Sequence, residues 1–388
     1  MKSGIIGTYF STPSFYKKAL RLALPICLQQ ALNQGASFLD TMMVSHVGGV
    51  GAVTVATQID NLLMLVGFGV NSCILIFASQ FFGAGNRRNL KRCFGLQLLL
   101  NVCIALAFFL LAKLGGTWFL SFFSDDARLI ELAKQYISIS AFSYFFTALI
   151  NGYTFMYRSV QTTKVPMLLG LATNCLNALL NYLLIYPVGS VKLMGFTVRT
   201  IGLGLGVRGA ALGTSGGALI AGLLMLRVLF SKRRAISIGV RDDYRPDKVI
   251  VRQMLYLSVP VMFERISISF GQILTSALAT GLGTAALAAH QLANTGESIC
   301  YMPAFGFGIA VTTLVAQSAG AGREDLKHEY ARLCMIYDLM IMCTMAALMY
   351  VFAPQLMGFF IADAAVIKAG AVLLRIQTFA EPCLAVNY

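Results

Sequence analysis

The segment NLLMLVGFGVNSCILIFASQFFGAG, residues 61–85, contains no charged side chain. A helix needs about 20 apolar residues to cross the hydrocarbon core of a bilayer, because its backbone polar groups must be bonded within the segment. The chain contains nine such uncharged runs of 18 to 27 residues. The other eight are 22–39, 94–112, 136–157, 165–191, 209–226, 266–289, 298–322 and 339–361. The sequence therefore predicts an all-α integral membrane protein.

The composition agrees with a chain that lies mostly within a membrane. Hydrophobic residues make up 57% of the chain and charged residues only 12%, whereas soluble domains have about 25% charged residues. A net charge of +14 would favour nucleic acid as the partner of a soluble protein. Here the basic residues lie between the uncharged runs, so we expect membrane lipids and no nucleic acid as partners.

The basic residues also predict the orientation of the chain. They are concentrated before the first run (residues 17–21), between the second and third runs (87–92) and in the segment 232–248. The alternate connections contain fewer: Asp125 and Asp126 follow the third run, and 281–284 has no charge. By the positive-inside rule, we expect a multi-pass protein of the bacterial cytoplasmic membrane with a cytoplasmic N-terminus.

The C-terminal part of the chain repeats motifs of the N-terminal part. QFFGAG at 80–85 corresponds to QSAGAG at 317–322, and Leu24-Pro25 corresponds to Val259-Pro260. Because six spans return the chain to its starting side, the two copies are expected to form parallel six-helix lobes, an arrangement typical of alternating-access transporters. We expect an N-terminal lobe at 1–231, a basic cytoplasmic linker at 232–252, and a second lobe at 253–388 that stops after about four helices.

Three motifs resemble those of the multidrug and toxic compound extrusion (MATE) transporters. They are FLDTMM at 38–43, LGTAALAAHQ at 282–291, and MPAFGFG at 302–308 followed by QSAGAG. The resemblance extends from about residue 19 to residue 388. It implies two six-helix lobes arranged in a V, and exchange of organic, often cationic compounds against protons or sodium. We expect small organic cations as substrates, H+ or Na+ as the coupling ion, no other cofactor, and a monomer.

Asp40 is the first candidate for the coupling-ion site. It lies near the outer end of the first run, and a carboxylate in hydrocarbon is costly unless it is functional or paired. We expect it to take up and release the coupling ion. The alternative is a carboxylate that reaches outer-face water and only anchors the helix.

Three amides occupy one face of the fifth span, because Asn174, Asn177 and Asn181 follow a spacing of i, i+3 and i+7. Asp40 and Thr214 are candidate partners for them. The resemblance implies that Asp40, Asn177, Asn181 and Thr214 form the family's N-terminal cation site, where Na+ is one possible ligand. Many relatives carry a second aspartate at the position of Asn181, so this chain favours protons. The alternative is amides that only bond neighbouring helices.

Other ionisable residues immediately before the uncharged runs form a second candidate set for a substrate or proton network. The set consists of Glu264, Arg265, Glu297 and Asp60. Two interpretations of the first three residues are open. They form a network that binds a cationic substrate or moves protons, or they form a static ion cluster between helices. Asp60 is expected at the rim of the second span. Three prolines within spans are candidate hinges, because proline frees a helix carbonyl: Pro25, Pro260 and Pro303.

The sequence contains no motif that supports catalysis. GLGVRG at 204–209 fits G-x-G-x-x-G but has no surrounding βαβ unit, and no H-E-x-x-H, G-x-S-x-G or Walker loop occurs. We therefore expect an antiporter and no catalytic residues. Alternatives are a lipid-linked oligosaccharide flippase of the same superfamily, which would need more cations inside, and, less favoured, a membrane enzyme or a receptor. The histidines that an enzyme would cluster are scattered: His46, His290 and His328.

Overall fold

The computed structural model describes residues 13–45, 50–123, 126–193, 196–229, 248–360 and 364–387. Its helices are α1 Pro13–Ser45, α2 Val50–Gly83, α3 Arg87–Leu114, α4 Gly116–Leu120, α5 Ala127–Ser140, α6 Ser143–Ser159, α7 Lys164–Ile185, α8 Gly206–Leu229, α9 Lys248–Gly281, α10 Thr284–Gly320, α11 Glu324–Phe360, α12 Ala364–Gln377 and α13 Glu381–Asn387. Six of these helices contain segments long and apolar enough to cross a bilayer. The all-α membrane class is confirmed.

The chain divides into two compact units. The larger unit consists of Leu32–Phe82 and Asn86–Met262, and the smaller unit of Met1–Ala31, Gly83–Gly85 and Phe263–Tyr388. Helices α1 and α9 therefore each contribute residues to both units. The lobes at 1–231 and 253–388 stay a prediction, and most of the linker at 232–252 lies outside the described residues.

Uncharged runs predict the spans but not where the helices end. The run 136–157 is divided between α5 and α6, and the run 266–289 contains the end of α9 and the start of α10. Gly283 separates α9 from α10 with a φ of 107°, a conformation that glycine adopts without a steric cost. Chain reversal at this point depends on backbone freedom, which an apolar composition does not reveal.

A β-hairpin follows α7 where the sequence predicted a continuing span. Strand β1 (Val188–Leu193) pairs antiparallel with β2 (Phe196–Ile201). The backbone N–H groups of Leu203, Gly204 and Leu205 then donate to the carbonyls of Leu183, Tyr186 and Leu184, all at 2.9 Å. The last carbonyls of a helix lack partners within the helix, so the segment after the hairpin satisfies the end of α7.

A buried amide cluster joins α2 to α3 in the larger unit. Asn71 Oδ1 accepts hydrogen bonds from Gln97 Nε2 at 3.0 Å and Asn101 Nδ2 at 2.9 Å. Each of these three side chains is at most 1% exposed. Gly152 of α6 lies against the cluster, since a Cβ at this position would be 2.9 Å from Asn101 Nδ2. Amide pairs of this kind hold membrane helices together.

We expect Asn71→Leu to destabilise the folded protein by about 1–3 kcal/mol, because it removes the buried acceptor of Gln97 Nε2 and one of the two acceptors of Asn101 Nδ2. The change is measured as the thermal midpoint of unfolding in detergent, detected by the labelling of buried cysteine thiols as they become exposed. Asn61→Leu is the matched control, because Asn61 is an exposed asparagine on the same helix. Equal midpoints for both variants would show that the amide cluster does not stabilise the helix pair.

Candidate cation-binding site

Helix α7 presents its amides to two neighbouring helices. Asn181 is 1% exposed, and its Nδ2 donates to Asp40 Oδ1 at 2.8 Å and to Asn177 Oδ1 at 2.7 Å. Asn177 Nδ2 lies 3.5 Å from Thr214 Oγ1 of α8. The four side chains of the expected cation site are therefore brought together inside the larger unit. Their binding of an ion stays a prediction.

Asn174 extends the same face of α7 toward α1. Its Nδ2 donates to Asn33 Oδ1 at 3.0 Å. Asn33 is a neighbour of the site that the sequence analysis missed. The signal was present, because Asn33 precedes Asp40 by seven residues and therefore lies on the same face of α1. Two contacts, Asn33 to Asn174 and Asp40 to Asn181, set the register of α1 against α7.

The small residues of α8 allow this helix to lie directly on the polar face of α7. A Cβ added at Gly213 would overlap Asn181 Oδ1, and one at Gly209 would overlap the carbonyl oxygen of Leu184. At Gly217 the added atom would lie 3.4 Å from Asn177 Cα. The close packing of α8 on α7 encloses the Asn181 amide.

The arrangement supplies oxygen atoms and a single charge. Asn181 Oδ1 is buried and has no hydrogen-bond partner among the described residues. Asp40 is half-buried beside it. Over the described ranges, no group of three or more His, Cys, Asp and Glu side chains is placed to hold a metal ion. One carboxylate, a hydroxyl and a free amide oxygen suit a proton or a monovalent hard cation better than a divalent metal.

Asp60 of α2 is half-buried, and its position at the rim of the span stays a prediction. Its Oδ1 is buried and lacks a hydrogen-bond partner within the described part of the chain, and the Tyr144 hydroxyl lies beside the carboxyl group. The neighbouring Ile59 is 0% exposed and Leu63 is 4% exposed. The face of α2 that contains Asp60 is therefore packed into the bundle.

In the smaller unit, the second candidate set is distributed over different surroundings. Glu264 is exposed, and the Arg265 guanidinium lies 5.7 Å from the centroid of the Phe305 ring. Glu297 is close to Glu381 of α13. Glu381 is 0% exposed, and neither of its carboxyl oxygens has a hydrogen-bond partner in the described residues.

Glu381 is a further residue that the sequence analysis missed. Its signal is that it is the only charged residue after Arg375, immediately before Pro382. The Cys300 thiol of α10 lies next to its carboxyl group. The carboxyl groups of Glu297 and Glu381 therefore lie in the same part of this unit, and the thiol lies beside Glu381.

The three candidate hinge prolines lie inside α1, α9 and α10. The Cys27 thiol, two residues after Pro25, donates to the carbonyl oxygen of Pro303 at 3.2 Å. Gly306 lies against the backbone of Cys27, since an added Cβ would be 2.8 Å from Cys27 Cα. The first half of α1 thus packs on α10 beside both prolines. Their action as hinges stays a prediction.

A helical membrane bundle that holds a carboxyl group among amides is the arrangement expected of a membrane transport protein. The family model described as MatE matches residues 25–183 and 260–388. This match covers well over half of the chain. The chain therefore belongs to the MatE family, as the sequence motifs predicted.

Curated relatives agree with this assignment. The chain is 26% identical over 361 residues to Probable multidrug resistance protein YoeA of Bacillus subtilis (strain 168), covering 91% of this chain and 75% of YoeA. It is 23% identical over 378 residues to Probable multidrug resistance protein NorM of Thermotoga maritima, covering 97% of this chain and 78% of NorM.

Solved structures have the same fold. A MOP superfamily transporter from Pyrococcus furiosus matches with a TM-score of 0.81 at 20% identity, over 95% of this chain and 81% of that one. A MATE family multidrug resistance transporter in an outward-facing conformation matches with a TM-score of 0.80 at 19% identity, again over 95% and 81%. At these identities the likeness establishes the fold alone.

Proposed function

We propose that this protein is a secondary antiporter that exports organic cations in exchange for a coupling cation bound at Asp40. The observation that supports this proposal is the hydrogen-bonded cluster of Asp40, Asn181, Asn177 and Thr214 inside the larger unit. Relatives named as multidrug resistance proteins support organic compounds as the substrates. The protein would lie in the bacterial cytoplasmic membrane as a monomer with its N-terminus inside.

The Asn181 amide connects ion binding to the packing of α7. With Asp40 ionised, the carboxylate accepts a hydrogen bond from Asn181 Nδ2. Protonation removes this charge and adds an O–H donor next to Asn181 Oδ1, the buried oxygen without a partner. Rotation of the amide then allows Asn181 Oδ1 to accept a hydrogen bond from the protonated carboxyl group. Because Gly213 of α8 lies directly against this amide, its rotation changes the packing of α8 on α7. Transport follows only if the ion binds the two conformations of the protein unequally.

The proton is the coupling ion that this site favours. A sodium ion needs charge and several hard oxygen ligands, and the site offers a single carboxylate with an amide where a second carboxylate would strengthen it. A proton needs only one carboxyl group that is sheltered from bulk water. The remaining alternative is weak sodium binding at the same four residues.

Efflux from proteoliposomes tests the proposal directly. The full chain is reconstituted, and efflux of ethidium is followed under a pH gradient without sodium or under a sodium gradient at constant pH. We expect the pH gradient alone to drive efflux. Efflux driven only by sodium would overturn the choice of the proton, and no gradient-dependent efflux would overturn antiport itself. Protein-free vesicles give the background.

We expect Asn181→Asp to introduce sodium-driven efflux, because a second carboxylate beside Asp40 adds the charge that a sodium ion requires. Two carboxylates at this distance repel each other unless a cation lies between them. Under the same sodium gradient, the efflux rate should rise at least about tenfold above that of the unmodified chain, which corresponds to about 1.4 kcal/mol. Asn174→Asp is the control, because it adds a carboxylate to the same face of α7 beside Asn33. A similar response from both variants would contradict this assignment.

A further inference from the structure

Three polar atoms are enclosed together where α2, α5 and α6 meet. They are Asp60 Oδ1, Ser140 Oγ and Tyr144 OH, and each is buried without an aligned hydrogen-bond partner in the described ranges. Ser140 is 1% exposed and Tyr144 is 2% exposed. The Tyr144 hydroxyl nevertheless lies beside both the Asp60 carboxyl and the Ser140 hydroxyl. Buried polar atoms are costly unless water or an ion completes their hydrogen bonds.

The break between α5 and α6 creates this arrangement. The backbone passes through Ala141 and Phe142 with short-range bonds, from Phe142 N to Ile139 O at 3.4 Å and from Tyr144 N to Ala141 O at 3.2 Å. The Ser143 hydroxyl donates to the Ser140 carbonyl at 2.6 Å. An interruption of this kind within a membrane helix is tolerated where the backbone faces protein or a polar cavity.

Apolar packing surrounds the three atoms. Ile59, Ile137 and Ala141 are each at most 1% exposed and belong to the same hydrophobic core as Tyr144. In the described part of the chain, the polar groups that interact with the Asp60 carboxyl are the hydroxyls of Tyr136 and Tyr144. No basic side chain is among them. Asp60 is therefore a sheltered acid without a cationic partner, whose charge must be neutralised by a proton or relieved by water.

Tyr136 connects Asp60 to the Asp40 cluster. Its side chain is 3% exposed, its hydroxyl lies beside that of Thr214, and it interacts electrostatically with both Asp60 and Asp40. Thr214 is in turn next to Asn177 Nδ2 at 3.5 Å. A row of polar groups thus extends from Ser140 through Tyr144, Asp60, Tyr136, Thr214, Asn177 and Asn181 to Asp40.

We infer that Asp60 is a second proton-binding group of the larger unit, joined to Asp40 through the hydroxyls of Tyr136 and Thr214. In each transfer one carboxyl loses a proton and the other gains it, while each hydroxyl between them, and water beside the amides of Asn177 and Asn181, accepts one proton and releases another, so no oxidant or reductant is needed. The inference rests on the proposed function with the proton as coupling ion. With Asp60, this unit has two carboxyl groups that exchange protons, although position 181 carries an amide and no carboxyl group.

Infrared spectroscopy tests the proton site without transport. The full-length protein is titrated in detergent, and difference spectra report protonated carboxyl groups. We expect a buried-carboxyl band that is lost in Asp60→Asn, retained in Asp60→Glu, and shifted in Tyr144→Phe. Tyr153→Phe is the matched control, because Tyr153 is also buried but belongs to a different hydrophobic core. A spectrum unchanged by Asp60→Asn overturns the inference.

Efflux measurements then separate this inference from the proposed function. We expect Asp60→Asn to reduce pH-driven efflux by about tenfold, the change that corresponds to about 1.4 kcal/mol, and to flatten its pH profile. Wild-type efflux and pH profile in Asp60→Asn overturn the connection to Asp40. If the unmodified chain shows the Asp60 band but no gradient-driven efflux, the proposed antiport is wrong and the proton site stands.

Discussion

Asp40→Asn is expected to reduce pH-driven efflux of ethidium to the background of protein-free vesicles. Asparagine has nearly the same shape and still offers an oxygen to Asn181 Nδ2, which donates to Asp40 Oδ1 at 2.8 Å in the native protein. Asparagine cannot bind or release a proton, so the protein no longer has separate protonated and ionised forms that favour different conformations. Efflux from proteoliposomes under an imposed pH gradient measures this effect.

The control for this substitution is Asp325→Asn. Asp325 is an exposed acid that pairs with Arg323 at 2.9 Å, and exposed ion pairs contribute little to stability. The substitution Asp325→Asn removes one negative charge, as Asp40→Asn does, but outside the site. We therefore expect efflux at the wild-type rate. Equal insertion and equal elution in gel filtration would establish that both variants fold. Wild-type efflux in Asp40→Asn would remove Asp40 from the mechanism.

Gly213→Ala is expected to have the second largest effect, although it adds only one methyl group. The new Cβ would overlap Asn181 Oδ1 and lie 3.1 Å from the Asn181 backbone nitrogen. The backbone atom cannot rotate away, so α8 must move or the amide must leave Asp40. Overpacking of this kind costs about 1–3 kcal/mol, and about 1.4 kcal/mol changes an equilibrium tenfold. We expect pH-driven efflux to fall by about tenfold or more.

Gly216→Ala on the same helix separates this effect from a general loss of packing. Its added Cβ would lie 3.1 Å from Leu180 Cδ1, the end of a flexible side chain that can change rotamer. We expect its efflux to remain near the wild-type rate and its thermal midpoint to stay unchanged. Similar losses in both variants would indicate that α8 tolerates no added volume, and that the Asn181 amide has no special importance.

The polar face of α7 could be predicted because it depends on helical geometry alone. Residues 174, 177 and 181 share a face in any α-helix, and an acid at the end of an apolar run requires a partner. The structure places Asn181 against Asp40 and Asn174 against Asn33. The absence of a charge does not specify a helix boundary, so the break at Ala141 and the reversal at Gly283 could not be read from the runs.

The surroundings of Asp60 and Glu381 could be identified only from the tertiary structure. A lone acid near the end of a span lies on no recognisable polar face, and its environment depends on how its helix is rotated. Ile59 and Leu63 pack into the core, and this packing directs Asp60 toward Tyr144. Glu381 is enclosed because α13 begins there after a turn at Thr378 to Ala380, next to Glu297 of α10.

The amino-acid sequence by itself determined the membrane class, the family motifs and the amides that share one face of α7, since each follows from local composition or helical period. Tertiary structure decided which of the acids are enclosed and which groups they meet. The physical reason is that helix rotation and close approach, as of Gly213 to Asn181, are set by side-chain packing between distant segments.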